Sequence, residues 1–277
     1  MAITTVLSIL KGNKYEQDLK SATSFCATYG AHLTALAVSI GATPSFGEYN
    51  AISTAWLDER QREIDELAST AAKIKETLST SGLSFEVQDL YTEFAWADQD
   101  VAQRALYADI VLLGSDAAED ADLRKRIFDG ALFQAPTPIL INRGRHAITT
   151  SPRAVVLAWD SSNEAARAAR QSLDFLERAE IVHVTMVDPL ARMGVNGEEP
   201  GADIAAFLAR HGVKVQIDRL SSEGKNADEI ITRHAVDMGA NLIVMGAYNH
   251  PRWQQSLFGG VTRRMIEDCK LPLFLVH

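Results

Sequence analysis

The sequence predicts an α/β protein built from two tandem doubly wound parallel-sheet domains. Its 277 residues are enough for two domains of ordinary size. Short apolar runs alternate with helical stretches, and this order occurs twice along the chain. The runs are apolar throughout, as expected when helices cover both faces of a parallel sheet. Right-handed crossovers would then wind each copy into a doubly wound sheet.

The repeat is clearest at the start of each copy. Residues 5–10 and residues 154–159 are apolar runs rich in β-forming side chains, and a polar break follows each. Ala-rich helical stretches come next, at 15–29 and 163–179. A second apolar run then ends at Val38 in the first copy and at Val187 in the second. These matches predict the same β-α-β beginning in both copies.

The later parts of the copies match at a different spacing, which indicates that the second copy is shorter. Residues 48–81 have room for a long helix, whereas residues 202–211 have room for about three turns. The long helix has apolar side chains three and four positions apart, at Ile64, Leu67, Ala71, Ile74 and Leu78. The last two apolar runs correspond as 108–114 with 240–246 and 138–141 with 272–275. Each copy therefore reads β-α-β-α-β-α-β-α-β.

A polar segment separates the two copies. Residues 142–152 carry few apolar side chains and are interrupted by Gly144 and Pro152, which favour turns. We place the domain boundary within this segment, near residue 148. The predicted domains are therefore residues 1–147 and residues 148–277.

Composition limits the kind of protein this chain encodes. The net charge of −9 and the isoelectric point of about 5.3 argue against binding to nucleic acid or to anionic membranes. The amino-terminal residues lack the basic start of a signal peptide, and no apolar run is long enough to cross a bilayer. The two cysteines, Cys26 and Cys269, exclude a disulfide scaffold and a cysteine-based zinc finger. Because free thiols suit a reducing compartment, we expect a cytoplasmic protein.

The residues after each strand are the candidates for a binding site, because open parallel sheets bind ligands at the carboxyl ends of their strands. Asp160 and Ser161 follow the first strand of the second copy, and the acid either caps the next helix or accepts hydrogen bonds from ligand hydroxyls. Met245 and Gly246 end the fourth strand, where a glycine allows a ligand to approach the backbone closely. The last helix opens at residues 259–260, and helix N-termini favour anions. These turns predict a site for a phosphate-bearing ligand.

In its order of elements, its repeat and its strand-end turns, the chain resembles the tandem universal stress proteins over nearly its whole length. The resemblance implies the adenine-nucleotide α-hydrolase-like fold in both domains. ATP-binding members of that family carry a glycine, two residues, a glycine, nine residues, and a glycine followed by Ser or Thr. Gly246 and Gly259 fit the first and third glycines with the spacing kept. Val261 and Thr262 fit the helix opening that follows.

The same resemblance implies roles for residues outside the glycine loop. Asp160 fits the acid that contacts the nucleoside, and Val187 fits the position that lines the base. Ser161, Met245 and His250 complete the predicted nucleotide-binding site, with His250 within reach of a phosphate. The implied ligand is ATP or a related adenine nucleotide, bound with Mg²⁺.

The second copy departs from the family pattern at two positions. Asn249 stands where the second glycine is expected, and asparagine tolerates a left-handed backbone better than most residues. Gly260 stands where the hydroxyl residue is expected, which removes one side-chain contact to phosphate and keeps the amide. These departures weaken the predicted loop without abolishing it.

The first copy departs much further from the pattern. Lys11 replaces the acid after the first strand, and Ile127 stands in the place of the third glycine after Gly114. The acidic residues after the fourth strand would repel a polyphosphate that lacked a metal ion; they are Asp116, Glu119, Asp120 and Asp122. We therefore interpret the first copy as a structural partner with a degenerate nucleotide loop.

The sequence predicts neither catalytic residues nor a metal site. The seven histidines form no ligand motif along the chain, and no nucleophile elbow surrounds Ser161. His32 and His183 lie in corresponding strands, and for both we predict burial or a hydrogen bond at a strand end.

The predicted function is that of a stress-response protein that binds an adenine nucleotide in its second domain, with at most a slow ATPase activity. The alternative is a nucleotide-free scaffold of the same fold that works through protein contacts. The expected partners are the nucleotide, a second copy of the chain or an internal pseudo-dimer, and an unidentified protein. Neither nucleic acid nor a membrane is expected as a partner.

Overall fold

The computed structural model describes residues 3–41, 54–144, 148–189, 199–247 and 260–277. The chain divides into two compact units, residues 3–139 and residues 140–277. This division falls inside the last strand of the first repeat, and the domain boundary near residue 148 stays a prediction. Among the described residues, no helix is long and apolar enough to span a bilayer.

The first unit alternates strands and helices as the sequence predicts. Its elements are β1 (Thr5–Lys11), α1 (Glu16–Tyr29), β2 (His32–Gly41), α2 (Thr54–Ser79), β3 (Phe85–Glu93), α3 (Ala97–Ala105), β4 (Ile110–Leu113), α4 (Ser115–Glu119), α5 (Ala121–Phe128), a π-helical turn (Asp129–Gln134) and β5 (Ile139–Ile141). The strand order is β3-β2-β1-β4-β5, and β1 pairs in parallel with β2 and β4.

The second unit repeats this plan with shorter helices. Its elements are β6 (Ala154–Ala158), α6 (Asn163–Gln171), α7 (Leu173–Arg178), β7 (Ile181–Val187), α8 (Ala202–Arg210), β8 (Val215–Leu220), α9 (Ala227–Asp237), β9 (Leu242–Gly246), α10 (Gly260–Asp268) and β10 (Leu273–Val276). The strand order is β8-β7-β6-β9-β10, with parallel pairing throughout these strands.

The two strand orders are the same, which confirms the doubly wound α/β fold. In each unit the first strand is central, the next two strands extend the sheet on one side, and the fourth returns to the other side. The strand order therefore reverses between β1 and β4 in the first unit and between β6 and β9 in the second. Such a reversal opens a crevice at the carboxyl ends of the strands.

The buried faces follow the apolar patterns of the sequence. The central strands are almost wholly buried, and so are Leu67, Ile74 and Leu78 on the inner face of α2. In the second unit, α8 has nine residues, which agrees with the short helix predicted there. Burial of these side chains supplies most of the stabilisation of such a sheet.

One predicted helix is divided in the structure. The stretch 163–179 forms α6 and α7, with Ser172 between them. The Ser172 side chain is fully buried, and its hydroxyl donates a hydrogen bond to the carbonyl of Ala168 at 2.7 Å. A buried hydroxyl bonded one turn back bends a helix, and the chain turns at this residue.

The start of the first strand is held in the same way in both units. In the first unit, the Asp109 carboxylate accepts hydrogen bonds from the amides of Thr4 (2.8 Å) and Thr5 (2.9 Å). In the second unit, the Asn241 side-chain oxygen accepts one from the amide of Arg153 (2.9 Å). Asp109 and Asn241 each directly precede the fourth strand of their unit, so the repeat extends to these contacts.

Both cysteines are buried and free. Burial raises the pKa of the Cys26 thiol to about 12 and also raises the pKa of the Cys269 thiol. The thiols therefore stay protonated near neutral pH and act as packing groups.

Candidate functional site

The candidate site lies at the carboxyl edge of the second unit's sheet, where β6 and β9 run side by side. Ala158, the last residue of β6, pairs with Met245 in β9. The chain leaves β6 through Asp160 and Ser161, so these residues and Gly246 border the crevice at the reversal of strand order. The sequence-predicted residues at these two strand ends are therefore neighbours in the structure.

Asp160 participates in the start of α6. Its carboxylate accepts a hydrogen bond from the amide of Ser162 at 3.0 Å, and the Ser162 hydroxyl accepts one from the amide of Ala165 at 3.1 Å. Ser162 is therefore the N-cap, and Asp160 orients it from two residues earlier. The acid therefore supports the capping residue and does not itself cap the helix. The Asp160 side chain is exposed, and its contact with ligand hydroxyls stays a prediction.

The loops after three neighbouring strands have an unusual backbone conformation. Ser161 after β6 has φ 64°, Asp188 after β7 has φ 47°, and Glu223 after β8 has φ 50°. These are the non-glycine residues with positive φ in the described part of the chain, and all three lie in the second unit. Such strain persists only where the surroundings enforce it, and it clusters at binding sites.

Asp188 is a further residue at this edge of the sheet, and the sequence reasoning missed it. It follows Val187, and its carboxylate accepts a hydrogen bond from the amide of Ser222 at 3.0 Å. Hydrogen bonds from the Ser222 hydroxyl and amide lower the pKa of Asp188. The available signal was an acid directly after a strand, as at Asp160. Val187 lies beside it, half-buried at the end of β7, where a base could contact it.

Gly246 is accounted for by packing within the fold. A Cβ atom at this position would lie 2.6 Å from the amide nitrogen of Ala165 and 2.6 Å from the carbonyl carbon of Glu164. The start of α6 therefore lies directly against the end of β9. In the first unit, a Cβ at Gly114 would lie 2.1 Å from the carboxylate of Asp18 in α1. Both units need glycine here for close approach, whether or not a nucleotide binds.

The start of α10 faces the same edge of the sheet. Because α10 leads into β10, which is parallel to β9, its N-terminus lies toward the carboxyl ends of the strands. Gly260 is exposed there, Val261 is half-buried and the Thr262 side chain is buried. Met245 is also buried, so any contact it makes with a ligand would involve its backbone. The free amides of this first turn suit an anion.

The remaining predicted loop residues, Asn249, His250 and Gly259, lie outside the described residues. Their roles stay predictions, as do those of the described site residues. Of the two arginines on α10, Arg264 forms an ion pair with Asp228 of α9 at 2.6 Å. This ion pair joins α10 to α9.

The corresponding edge of the first unit is occupied by its own side chains. Asp18 in the first turn of α1 is buried, and its carboxylate accepts hydrogen bonds from the amides of Asp116 (3.1 Å) and Ala117 (2.9 Å). These amides belong to the first turn of α4, which begins directly after β4. An acid of the chain therefore satisfies the amides that would face a ligand in a phosphate loop.

Lysines pair with the acidic residues of this edge. Lys14 lies 2.9 Å from Asp116 and 2.7 Å from Glu119, and Lys11 lies 3.0 Å from Asp120. Two lysines therefore compensate part of the negative charge of these acids, and the repulsion of a polyphosphate that lacks a metal ion stays a prediction. The same ion pairs connect the end of β1 and the residue Lys14 after it to the residues after β4, across the point where the strand order reverses.

His32 makes the kind of contact that its strand position predicts. Its Nδ1 lies 2.7 Å from the hydroxyl of Ser84, at the start of β2. His183 is buried in β7, and its Nδ1 lies 2.7 Å from the carboxylate of Asp218. The expected hydrogen bonds are thus present at both histidines.

Comparison with known proteins places this fold in a class and the second unit in a family. The architecture is that of the adenine-nucleotide α-hydrolase-like α/β proteins. The model of the universal stress protein family matches residues 152–277, so the second unit contains a universal stress protein domain. The comparison with curated proteins gives no match.

Solved structures resemble the chain over both units. A universal stress protein from Archaeoglobus fulgidus DSM 4304 has 16% identity and a TM-score of 0.66, covering 98% of this chain and 95% of its own. A protein of Pseudomonas aeruginosa UCBPP-PA14 assigned to the same family has 17% identity and a TM-score of 0.62, covering 99% and 93%. At these identities the likeness establishes the fold, including that of the first unit.

Proposed function

We propose that this chain is a tandem universal stress protein that binds ATP or a related adenine nucleotide in its second domain, without strong catalysis. The family match to residues 152–277 carries this proposal. The geometry supports it, because the crevice between β6 and β9 is bordered by Asp160, by Gly246 and by the exposed start of α10. Residues 1–147 and 148–277 are the two proposed domains.

Each part of the proposed site suits one part of a nucleotide. The amides at Gly260 and Val261 open a helix, where phosphate oxygens are favourably bound. The exposed carboxylate of Asp160 suits the ribose hydroxyls, and the half-buried side chain of Val187 suits the base. Mg²⁺ would compensate the phosphate charge in a protein whose own net charge is −9. The buried free thiols support a cytoplasmic location.

The first test is whether the purified protein contains a nucleotide. We expect a near-stoichiometric adenine nucleotide in the supernatant of protein that was purified without added nucleotide and then denatured. We also expect Mg-ATP to raise the melting temperature of the nucleotide-free protein. At a hundredfold excess over Kd the stabilisation is about 2.7 kcal/mol, which corresponds to several degrees.

A pair of charge-matched variants makes the test specific. Asp160→Ala should abolish most of the shift that Mg-ATP causes. Asp237→Ala removes the same charge from an exposed position at the end of α9, which leads into the start of β9 at the opposite edge of the sheet. It should therefore keep the full shift. The absence of both a bound nucleotide and a thermal shift would contradict the proposal.

A second candidate function is that of a nucleotide-free scaffold, and the first unit favours it. The Asp18 carboxylate occupies the amides of α4, and the lysine ion pairs connect the two strand ends. We therefore propose that the first domain is a structural partner, and that a dimer or an internal pseudo-dimer presents protein contacts. Sedimentation as a dimer together with no response to Mg-ATP would favour the scaffold for the whole chain. A monomer that shifts with Mg-ATP would contradict it.

A further inference from the structure

The fold brings together three potential metal ligands that are far apart in the sequence. The Nδ1 atom of His183 in β7 and the Nε2 atom of His234 in α9 lie 2.7 Å and 2.8 Å from the same carboxylate oxygen of Asp218 in β8. One ligand atom from each residue lies within 4.8 Å of the other two. The sequence reasoning did not find this cluster, because the three residues share no local motif.

The cluster is shielded but still reachable from solvent. The side chains of His183, Asp218 and His234 are 6%, 10% and 13% exposed. The second oxygen of Asp218 accepts a hydrogen bond from the side-chain amide of Gln216 at 2.9 Å, which fixes the orientation of the carboxylate.

The first unit shows that this fold does not require such a cluster. Alignment of Val38 with Val187 and the matching strand registers place Thr34 at the position of His183 and Gln88 at the position of Asp218. There the Gln88 side-chain oxygen accepts a hydrogen bond from Arg104 of α3 at 3.0 Å. A neutral amide and an arginine thus fill the space between sheet and helix. The two histidines and the acid are particular to the second unit.

From this geometry we propose that His183, Asp218 and His234 bind a divalent transition-metal ion, with zinc as the best match, through Nδ1, a carboxylate oxygen and Nε2. Two imidazoles and one carboxylate are a common ligand set for zinc and a poor one for magnesium or calcium. Three protein ligands leave a fourth position for water.

The cluster must rearrange to admit the ion, because its ligand atoms lie up to 4.8 Å apart and zinc would draw them together by up to about 1.5 Å. Tetrahedral zinc with ligands at about 2.0–2.1 Å separates its ligand atoms by about 3.3 Å. The nitrogen–oxygen distances of 2.7 Å and 2.8 Å would therefore lengthen by about half an ångström as the ion replaces the two hydrogen bonds. Each imidazole then carries its proton on the other ring nitrogen, so the ligand nitrogens present lone pairs. Because His183 lies early in β7, the site is separate from the carboxyl edge of the sheet.

The test uses the full chain after removal of metals by a chelator. We expect it to bind one zinc ion with micromolar or tighter Kd in competition with a chromophoric chelator. Cobalt should give the intense visible spectrum of tetrahedral coordination. His234→Gln and Asp218→Asn should each weaken zinc binding at least tenfold, and both should keep the far-UV spectrum of the folded protein. His211→Gln removes an exposed histidine of the same unit and should change nothing.

Three results would overturn the assignment. The first is wild-type protein that binds no zinc. The second is zinc binding that persists in His234→Gln and Asp218→Asn, which would place the ion elsewhere. The third is an octahedral cobalt spectrum, which would indicate loose binding at the surface. The Mg-ATP shift should be unchanged in His234→Gln, so this site and the nucleotide site are tested separately.

Discussion

Gly246→Ala is expected to destabilise the protein by about 1–3 kcal/mol or more, the range for overpacking in a dense interior. The added Cβ would lie 2.6 Å from backbone atoms of both Glu164 and Ala165. Backbone cannot rotate away as a side chain can, so α6 must shift away from the end of β9. Denaturant unfolding of the full chain measures the loss as a lower midpoint.

Gly260→Ala provides the matched control in the same unit. Its Cβ would lie 3.0 Å from the guanidinium of Arg264, the end of a flexible side chain, and Gly260 begins α10. Alanine is a better helix former than glycine by up to about 1 kcal/mol, so this variant should be as stable as the wild type or more stable. Equal midpoints for Gly246→Ala and the wild type would contradict the packing argument.

Asp18→Asn is expected to change how stability depends on pH. Burial raises the pKa of Asp18 from 3.8 to about 6, against hydrogen bonds from the amides of Ala117 and Asp116 that lower it. The folded state therefore binds this proton more tightly than the unfolded state. The resulting stabilisation is complete below about pH 4 and is lost as the pH rises through about 6. The difference between the two pKa values corresponds to about 3 kcal/mol of unfolding free energy across this window.

The measured quantity is the difference in unfolding free energy between the wild type and Asp18→Asn at several pH values. Between pH 4 and pH 7 the unfolding free energy of the wild type should fall relative to that of Asp18→Asn, because asparagine does not titrate. Asp109→Asn is the control in the same unit. Burial alone would raise the pKa of Asp109, but hydrogen bonds from Thr4 and Thr5 lower it below 3.8. The stabilisation that the Asp109 carboxylate provides is lost only as the pH falls below 4. A constant difference for Asp18→Asn would show that the carboxylate is charged throughout.

The two units differ in what contacts the chain at the end of the fourth strand. After the fourth strand, the first unit turns at once into α4, whose amides are held by Asp18. In the second unit, the backbone of Glu164 and Ala165 at the start of α6 lies against the end of β9. The strained residues Ser161 and Asp188 lie at the same edge of the second sheet. This difference agrees with the proposed division into a ligand-binding unit and a structural unit.

The fold class and the repeat followed from the sequence alone. Apolar runs such as residues 5–10 and 154–159 are strands because parallel strands covered on both faces are apolar throughout. The spacing of Leu67, Ile74 and Leu78 gave the inner face of α2, because a helix repeats its face every three to four residues. These are local periodicities, and any sheet and helix that bury their apolar faces must show them.

Only the tertiary structure decided which polar side chains meet. Asp160 holds the N-cap Ser162 in place because the turn after β6 brings its carboxylate to the amide of Ser162. Asp18 lies in the predicted helix 15–29, and only the fold places it on amides about a hundred residues further along the chain. His183 and His234 meet at Asp218 for the same reason. Contacts between distant residues depend on register and helix placement, and no local pattern in the sequence records them.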